Sequence, residues 1–282
     1  MKKMSEECTH DCSTCSANCG SRERKREDFW EKTHEDTHVK KVIAVLSGKG
    51  GVGKSMVSSL LAVELNRRGH KTAVLDSDIL GPSIPRLFGM KKERATGRGD
   101  LLVPVESKTG VKVMSVNLLL EEETTPVLWR GPVVSGVITQ FWTQTDWGDV
   151  DFMVVDMPPG TGDVALTVMQ SIPVDGIIIV TSPQELVSVI VEKATRMAEA
   201  VGVPILGIVE NMSYMECPDC GKRIEVFGES HTDEVAFRHD LEILDKLPFN
   251  PKFAKAADDG AVELCDSDML KLSADAAENL LK

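Results

Sequence analysis

The sequence predicts an α/β chain, a doubly wound and mostly parallel sheet flanked by helices, and three observations carry that prediction. From Val39 onward, short apolar runs rich in β-branched residues alternate with stretches of helical period. A glycine-rich octapeptide at 48–55 joins the first such run to the first helix. Acidic residues stand at the ends of two further runs, where open parallel sheets bind their ligands.

In chain order, 41–46 (Lys-Val-Ile-Ala-Val-Leu) reads as a strand, and 54–68 as a helix closed by Gly69. Strands at 72–76, 111–116, 152–156, 176–181 and 205–210 follow. Helices near 132–145, 163–172 and 184–201 lie between them, the last ending at Gly202 ahead of Pro204. An insertion at 213–227 breaks the alternation around Cys217-Pro-Asp-Cys220-Gly, and short helices close the chain. Residues 1–38 are rich in Cys, Ser, Glu, Lys and Arg, so they form a flexible segment with no core of its own, ahead of a domain at 39–282.

Composition narrows the function. A chain of 282 residues, 42% hydrophobic, suffices for one large domain with appendages. A net charge of -12 argues against nucleic acid as a partner, because that recognition uses lysine and arginine to displace counterions. No apolar run approaches the roughly 18 residues that span a bilayer, and the polar N-terminus is no signal peptide, which places the chain in the cytoplasm away from membranes. Seven cysteines in short clusters point to metal ligands before disulfides.

The octapeptide is Gly48, Lys49, Gly50, Gly51, Val52, Gly53, Lys54 and Ser55, the G-x-x-x-x-G-K-[ST] spacing of a phosphate-binding loop. Such a loop surrounds phosphate oxygens with backbone N–H groups, while Lys54 meets the phosphates and the Ser55 hydroxyl meets magnesium. Strand, loop and helix in that order favour this over a glycine turn that binds nothing. Lys49 adds a second cation that most such loops lack, and with Lys54 it supplies charge for catalysis at the phosphates.

The second strand ends in Asp76-Ser-Asp78, the fourth in Asp156-Met-Pro-Pro-Gly160-Thr-Gly162-Asp163. Magnesium takes carboxylate, hydroxyl and water oxygens, so Ser55 and Asp156 are its expected protein ligands. Asp78, one step past its strand, is placed to orient or deprotonate an attacking water. Each aspartate also has a plain reading as a helix cap or turn residue, and for Asp76 and Asp163 the two readings stand level. Gly160 follows two prolines; its N–H could hold a γ-phosphate until hydrolysis frees the loop, or the segment is a simple strand-to-helix connection.

With Lys49, residues 48–55 resemble the deviant Walker A sequence of the class that contains MinD, ParA, ArsA and the nitrogenase iron protein. Within that class several segments resemble the Mrp/ApbC family of ATP-binding iron–sulfur cluster carriers, over roughly residues 40–260. They are Asp76-Ser-Asp78-Ile-Leu-Gly-Pro-Ser-Ile-Pro, Trp129-Arg-Gly-Pro132, Asp156-Met-Pro-Pro-Gly-Thr-Gly-Asp163, Thr181-Ser-Pro-Gln184, Glu210-Asn-Met-Ser213 and Cys217-Pro-Asp-Cys220-Gly. The resemblance implies a P-loop NTPase fold and a homodimer in which Lys49 reaches the partner subunit's nucleotide; the expected ATP hydrolysis is slow. It further implies that Asn211 contacts adenine, that Cys217 and Cys220 of both chains hold one cluster, and that apo iron–sulfur proteins receive it.

Ligand counting points the same way: a structural zinc or a 4Fe-4S cluster takes four protein ligands, the pair supplies two, and a two-fold dimer completes the set. A zinc knuckle with distant ligands, a redox pair and plain core cysteines remain as alternatives. At the N-terminus Cys8, Cys12, Cys15 and Cys19 supply four thiolates, enough for a second cluster or for zinc, or they stay unligated. Some related carriers have an N-terminal four-cysteine cluster of wider spacing. Two other whole-chain readings compete: a positioning ATPase like MinD or ParA with a structural zinc knuckle, and a reductase like the nitrogenase iron protein. The tail at 266–282 lacks the basic or aromatic surface of the first, and no cysteine falls between Cys19 and Cys217 to serve the second.

Overall fold

A computed structural model describes residues 26–121, 129, 131–183, 187–266 and 268–282. The chain begins β1 (His38–Ser47), α1 (Lys54–Arg67), β2 (Thr72–Asp76), α2 (Ile84–Leu87), β3 (Thr96–Arg98), β4 (Leu101–Val103), β5 (Val105–Glu106) and β6 (Lys112–Met114). It continues α3 (Gly131–Thr143), β7 (Asp149–Asp156), α4 (Asp163–Ser171), β8 (Gly176–Thr181), α5 (Val187–Val201) and β9 (Ile205–Glu216). It closes with β10 (Arg223–Ile224), α6 (Thr232–Arg238), β11 (Ile243–Pro248), α7 (Pro251–Asp259) and α8 (Lys271–Asn279).

The sheet orders its parallel strands β11-β9-β8-β1-β7-β2-β6, with β5 antiparallel at one edge and β10 antiparallel to the far end of β9. Side chains divide with period two. Val42, Ala44 and Leu46 of β1 enter a core with α3, α4 and α5, whereas Ile43 and Val45 enter a second core with α1, α2 and α8. Met153 and Val155 of β7 part from Phe152 and Val154 in the same way, as do Ile177 and Ile179 of β8 from Ile178 and Val180. Strands covered on both faces need apolar residues at every position, which is why these runs show no polar face. The doubly wound architecture is the expected one, and it aligns the carboxyl ends of β1, β2 and β7 at one edge.

Two elements differ from expectation. β9 does not stop at 210 but runs to Glu216, because beyond Glu210 it leaves the covered sheet and pairs through Tyr214 with Pro248 and through Met215 with Ile224. Its side chains there no longer need to be apolar. The C-terminal region holds a parallel strand, β11, besides helices; Asp245 and Lys246 interrupt the apolar run that would have marked it. The helix expected from 184 is described from Val187, with 184–186 outside the described residues. Residues 26–37 pack on the domain: Arg26 Nη2 donates to the Val174 carbonyl at 2.7 Å and Trp142 Nε1 to the Glu31 carbonyl at 2.8 Å. Cys8, Cys12, Cys15 and Cys19 lie outside the described residues, as does Arg130 of the Trp129 segment.

Candidate functional site

β1 brings its buried run to Ser47, and the chain turns through 48–53 into α1. Glycine is required at three points of this turn, one of them Gly51 at φ 81. Gly53 caps α1 at φ 80, and a Cβ on it would lie 2.2 Å from Asn211 Nδ2. A Cβ on Gly48 would lie 2.3 Å from the Ile190 side chain of α5. Gly50 and Gly51 face open space and line a cavity of about 510 Å³, within the range of small-molecule sites. No side chain caps α1, so its first-turn N–H groups are available to an anion. Val52 is buried, its carbonyl held by Asn211.

Four side chains meet behind the loop. Asp156, at the end of β7, is fully buried; Ser55 Oγ donates to its Oδ2 at 2.6 Å and Ser58 Oγ to its Oδ1 at 2.7 Å. Lys54 Nζ stands 2.8 Å from the same Oδ1 at an angle that makes no hydrogen bond, leaving a buried ammonium with uncommitted donors beside the cavity. The adjacent Ser55 hydroxyl and Asp156 carboxylate are the oxygen types magnesium takes, so the residues fit that ion. Ser58 carries no motif signal, but it lies three residues after Ser55 and therefore on the same helix face.

Asp76 and Asp78 separate by burial. Asp76 is wholly enclosed, accepting from Ser115 Oγ at 3.0 Å and from the Asp78 amide at 3.2 Å. Burial, reinforced by Asp156 and opposed by Lys54 and Ser115, pushes its pKa up to about 8. Asp78 lines the cavity and accepts from the Gly81 amide at 3.2 Å. Burial raises its pKa, Lys54 pulling it back and Asp156 adding to the rise. Of the two, only Asp78 can touch a cavity-bound molecule.

The remaining loop residues are placed as follows. Lys49 lines the cavity, and among the described residues its ammonium forms no ion pair. The Gly160 amide donates to the Ser47 carbonyl at 2.7 Å, so a contact to phosphate would exchange that bond. Asn211 Nδ2 donates to the Val52 carbonyl at 2.8 Å, bracing the loop from behind. Asp163 begins α4.

A second feature projects from the same edge. β9 and β10 form a hairpin whose tip is Cys217-Pro-Asp-Cys220-Gly, tightened by the Gly221 amide donating to the Cys217 carbonyl at 2.9 Å, with Gly221 at φ 70. The Cys220 and Asp219 amides and the Cys220 thiol point at the Cys217 sulfur and hold its pKa below the ordinary thiol value. Cys217 is half-buried and Cys220 exposed, which contradicts the core-cysteine alternative; Cys265 is buried and structural. Among the described residues, no group of three or more Cys, His, Asp or Glu could hold a metal. The hairpin by itself presents two thiols.

A glycine loop entering a buried helix beyond the central strand, with a lysine, a hydroxyl and a carboxylate behind it, defines a P-loop NTPase. The family model of the ParA group described as NUBPL iron-transfer P-loop NTPase matches residues 38–281, and the chain belongs to this family. The iron-sulfur cluster carrier protein of Clostridium perfringens is 46% identical over 233 residues, covering 80% of this chain and 82% of the relative. That of Methanocaldococcus jannaschii is 42% identical over 258 residues, covering 90% and 89%. A nucleotide-binding protein of Archaeoglobus fulgidus, solved in complex with ADP, is 44% identical at a TM-score of 0.73, covering 80% of this chain and 88% of that one. MinD of Pyrococcus horikoshii, solved with Mg-ADP, is 19% identical at a TM-score of 0.59 over 86% and 96%, a likeness of fold alone. No helix among the described residues is long and apolar enough to cross a membrane.

Proposed function

We propose that this chain is an ATP-hydrolysing carrier of iron–sulfur clusters, in which two copies share one 4Fe-4S cluster on Cys217 and Cys220 and pass it to apo iron–sulfur proteins in the cytoplasm. The observation that carries the reading is the exposed cysteine knuckle: an acidified thiol in a ligand set that one chain does not complete among its described residues. The similarity to iron-sulfur cluster carrier proteins and the membership of the iron-transfer family support it.

The loop residues then have distinct tasks. Backbone N–H groups of Gly50, Gly51, Val52 and Gly53 and the first turn of α1 bind the phosphates of ATP. Lys54, whose donors are uncommitted beside Asp156, turns to the β- and γ-phosphates, and Lys49 reaches the nucleotide of the partner copy. Magnesium held by Ser55 and Asp156 supplies charge neutralisation at the phosphate oxygens. Asp78 orients the attacking water. Asn211, the adenine contact the family resemblance implies, would have to release the Val52 carbonyl to make it, and Gly160 trades its Ser47 bond for a γ-phosphate contact. Hydrolysis is slow and sets the state of the dimer. Residues 39–282 form the NTPase domain, and Cys8, Cys12, Cys15 and Cys19 hold a second cluster on the N-terminal segment.

Anaerobic reconstitution with iron and sulfide tests the reading. Wild type is expected to gain visible absorption and equal iron and sulfide, Cys217→Ala to lose the hairpin's share, and a chain with all four N-terminal cysteines changed to serine to keep that share. A colourless, zinc-filled product from wild type would sink the proposal.

A further inference from the structure

Glu210 ends the covered part of β9, in register with Thr181 of β8 and Lys246 of β11, and is 0% exposed. A carboxylate there has lost its water and must be satisfied by protein donors. Two hydroxyls do so: Ser213 donates to Oε1 and Ser230 to Oε2. Ser213 lies on the outer part of β9, four residues ahead of Cys217, and Ser230 where the chain returns from the hairpin toward α6. Glu210 therefore closes the neck of the loop that carries Cys217 and Cys220.

The following residues link this neck to the phosphate loop. Asn211 holds the Val52 carbonyl at 2.8 Å, and its Oδ1 accepts from the Met212 amide at 3.0 Å. Met212 sits at φ 58, a left-handed conformation uncommon for a methionine. Residues 210–213 thus place a clasp, a tether and a fixed backbone joint in direct succession. Neither the phosphate chemistry nor the thiolate chemistry uses Glu210.

We propose that Glu210, with Ser213 and Ser230, is a positioning residue that couples the phosphate loop to the cysteine hairpin. The proposal rests on the reading of these two places as nucleotide and cargo sites, and adds the route between them. A displacement of Val52 as the loop closes on phosphate passes through Asn211 to residue 210, and the clasp delivers it to both legs of the hairpin. Without the clasp the returning leg is no longer tied to β9 at the neck, and only the outgoing leg stays held, through Tyr214 and β11, so the displacement is absorbed there.

The test uses the full chain without cluster. Alkylation of Cys217 and Cys220 by N-ethylmaleimide is followed peptide by peptide by mass spectrometry, with and without Mg-ADP or a non-hydrolysable ATP analogue. In wild type, nucleotide is expected to change the Cys217 rate by about fivefold or more. In Ser230→Ala and Glu210→Ala the ratio falls to about one while ADP affinity stays within about twofold of wild type. Glu210→Gln, whose amide can still meet both hydroxyls, restores most of the ratio. Should Glu210→Ala fold poorly, Ser230→Ala, a loss of one oxygen at a half-buried site, carries the comparison. A wild-type ratio in Ser230→Ala, a loss of ADP affinity alongside the ratio, or no nucleotide response in wild type each overturns the proposal. A chain that shows the coupled response yet takes up no iron or sulfide overturns the carrier reading and leaves the clasp standing.

Discussion

Lys54 has two partners to satisfy, the buried Asp156 carboxylate and the phosphate. Removing it leaves Asp156 enclosed with two hydroxyls and no cation. Stranding a buried charge costs about 3–5 kcal/mol, and losing a preorganised cation at a reacting group costs about 10²–10³ in turnover. Lys54→Ala is therefore expected to lower both the melting temperature and ATP turnover while leaving iron and sulfide uptake at the hairpin intact; calorimetry and phosphate release measure the first two. Gly53 offers a sharper test of geometry. Gly53→Ala meets a backbone penalty of about 1–2 kcal/mol at positive φ and a collision with Asn211 Nδ2. Adding Asn211→Gly removes the collision but not the penalty, so the double variant should recover part of the lost stability. No recovery on a double-mutant cycle would mean that the two residues are not in contact. At this scale the contiguous loop was legible in the sequence, because eight adjacent residues carry the whole pattern. Ser58, Ser115 and Ser230 were not, since each acts on a carboxylate supplied by a different element.

Among the elements, α1 shows how local sequence and packing combine. It is buried almost all round, as a helix must be when it fills the space between a sheet and a second layer. Its C-terminal end is tied to α8 by Arg68, which reaches Asp275 at 2.7 Å and Glu278 at 3.0 Å, and by His70, which meets Glu278 at 2.8 Å. The His70 hydrogen bond, with Arg68 behind it, holds the Glu278 pKa below its ordinary value against the opposing effect of burial. A carboxylate depressed in the folded state stabilises the fold above its unfolded pKa, near 4.3. That contribution is lost as pH falls through the folded value. Glu278→Gln should therefore flatten the acid side of the stability profile below about pH 5 and leave the neutral side nearly parallel to wild type; thermal melts across pH 3–7 measure it. The central strands were readable because double coverage makes them apolar throughout. The outer half of β9 and the strand β11 were not, because pairing at an edge tolerates Asn211, Ser213, Asp245 and Lys246.

The whole molecule brings the phosphate loop and the cysteine hairpin to one edge of the sheet. Among the described residues Lys49 of the phosphate loop forms no ion pair, and no third metal-ligating side chain joins the two thiols of the hairpin. On the proposed reading a pair of chains completes both, so nucleotide and cluster would act on the same equilibrium between one copy and two. That logic was proposed from the motifs and the family resemblance, whereas the hydrogen-bonded route from Val52 to the hairpin neck required the fold. Native mass spectrometry of the anaerobically reconstituted chain tests the central claim most directly. It should find the hairpin cluster, about four iron and four sulfide, only on a two-chain species that disappears in Cys217→Ala. A cluster of that mass on a single chain that still carries serine at all four N-terminal positions would contradict it.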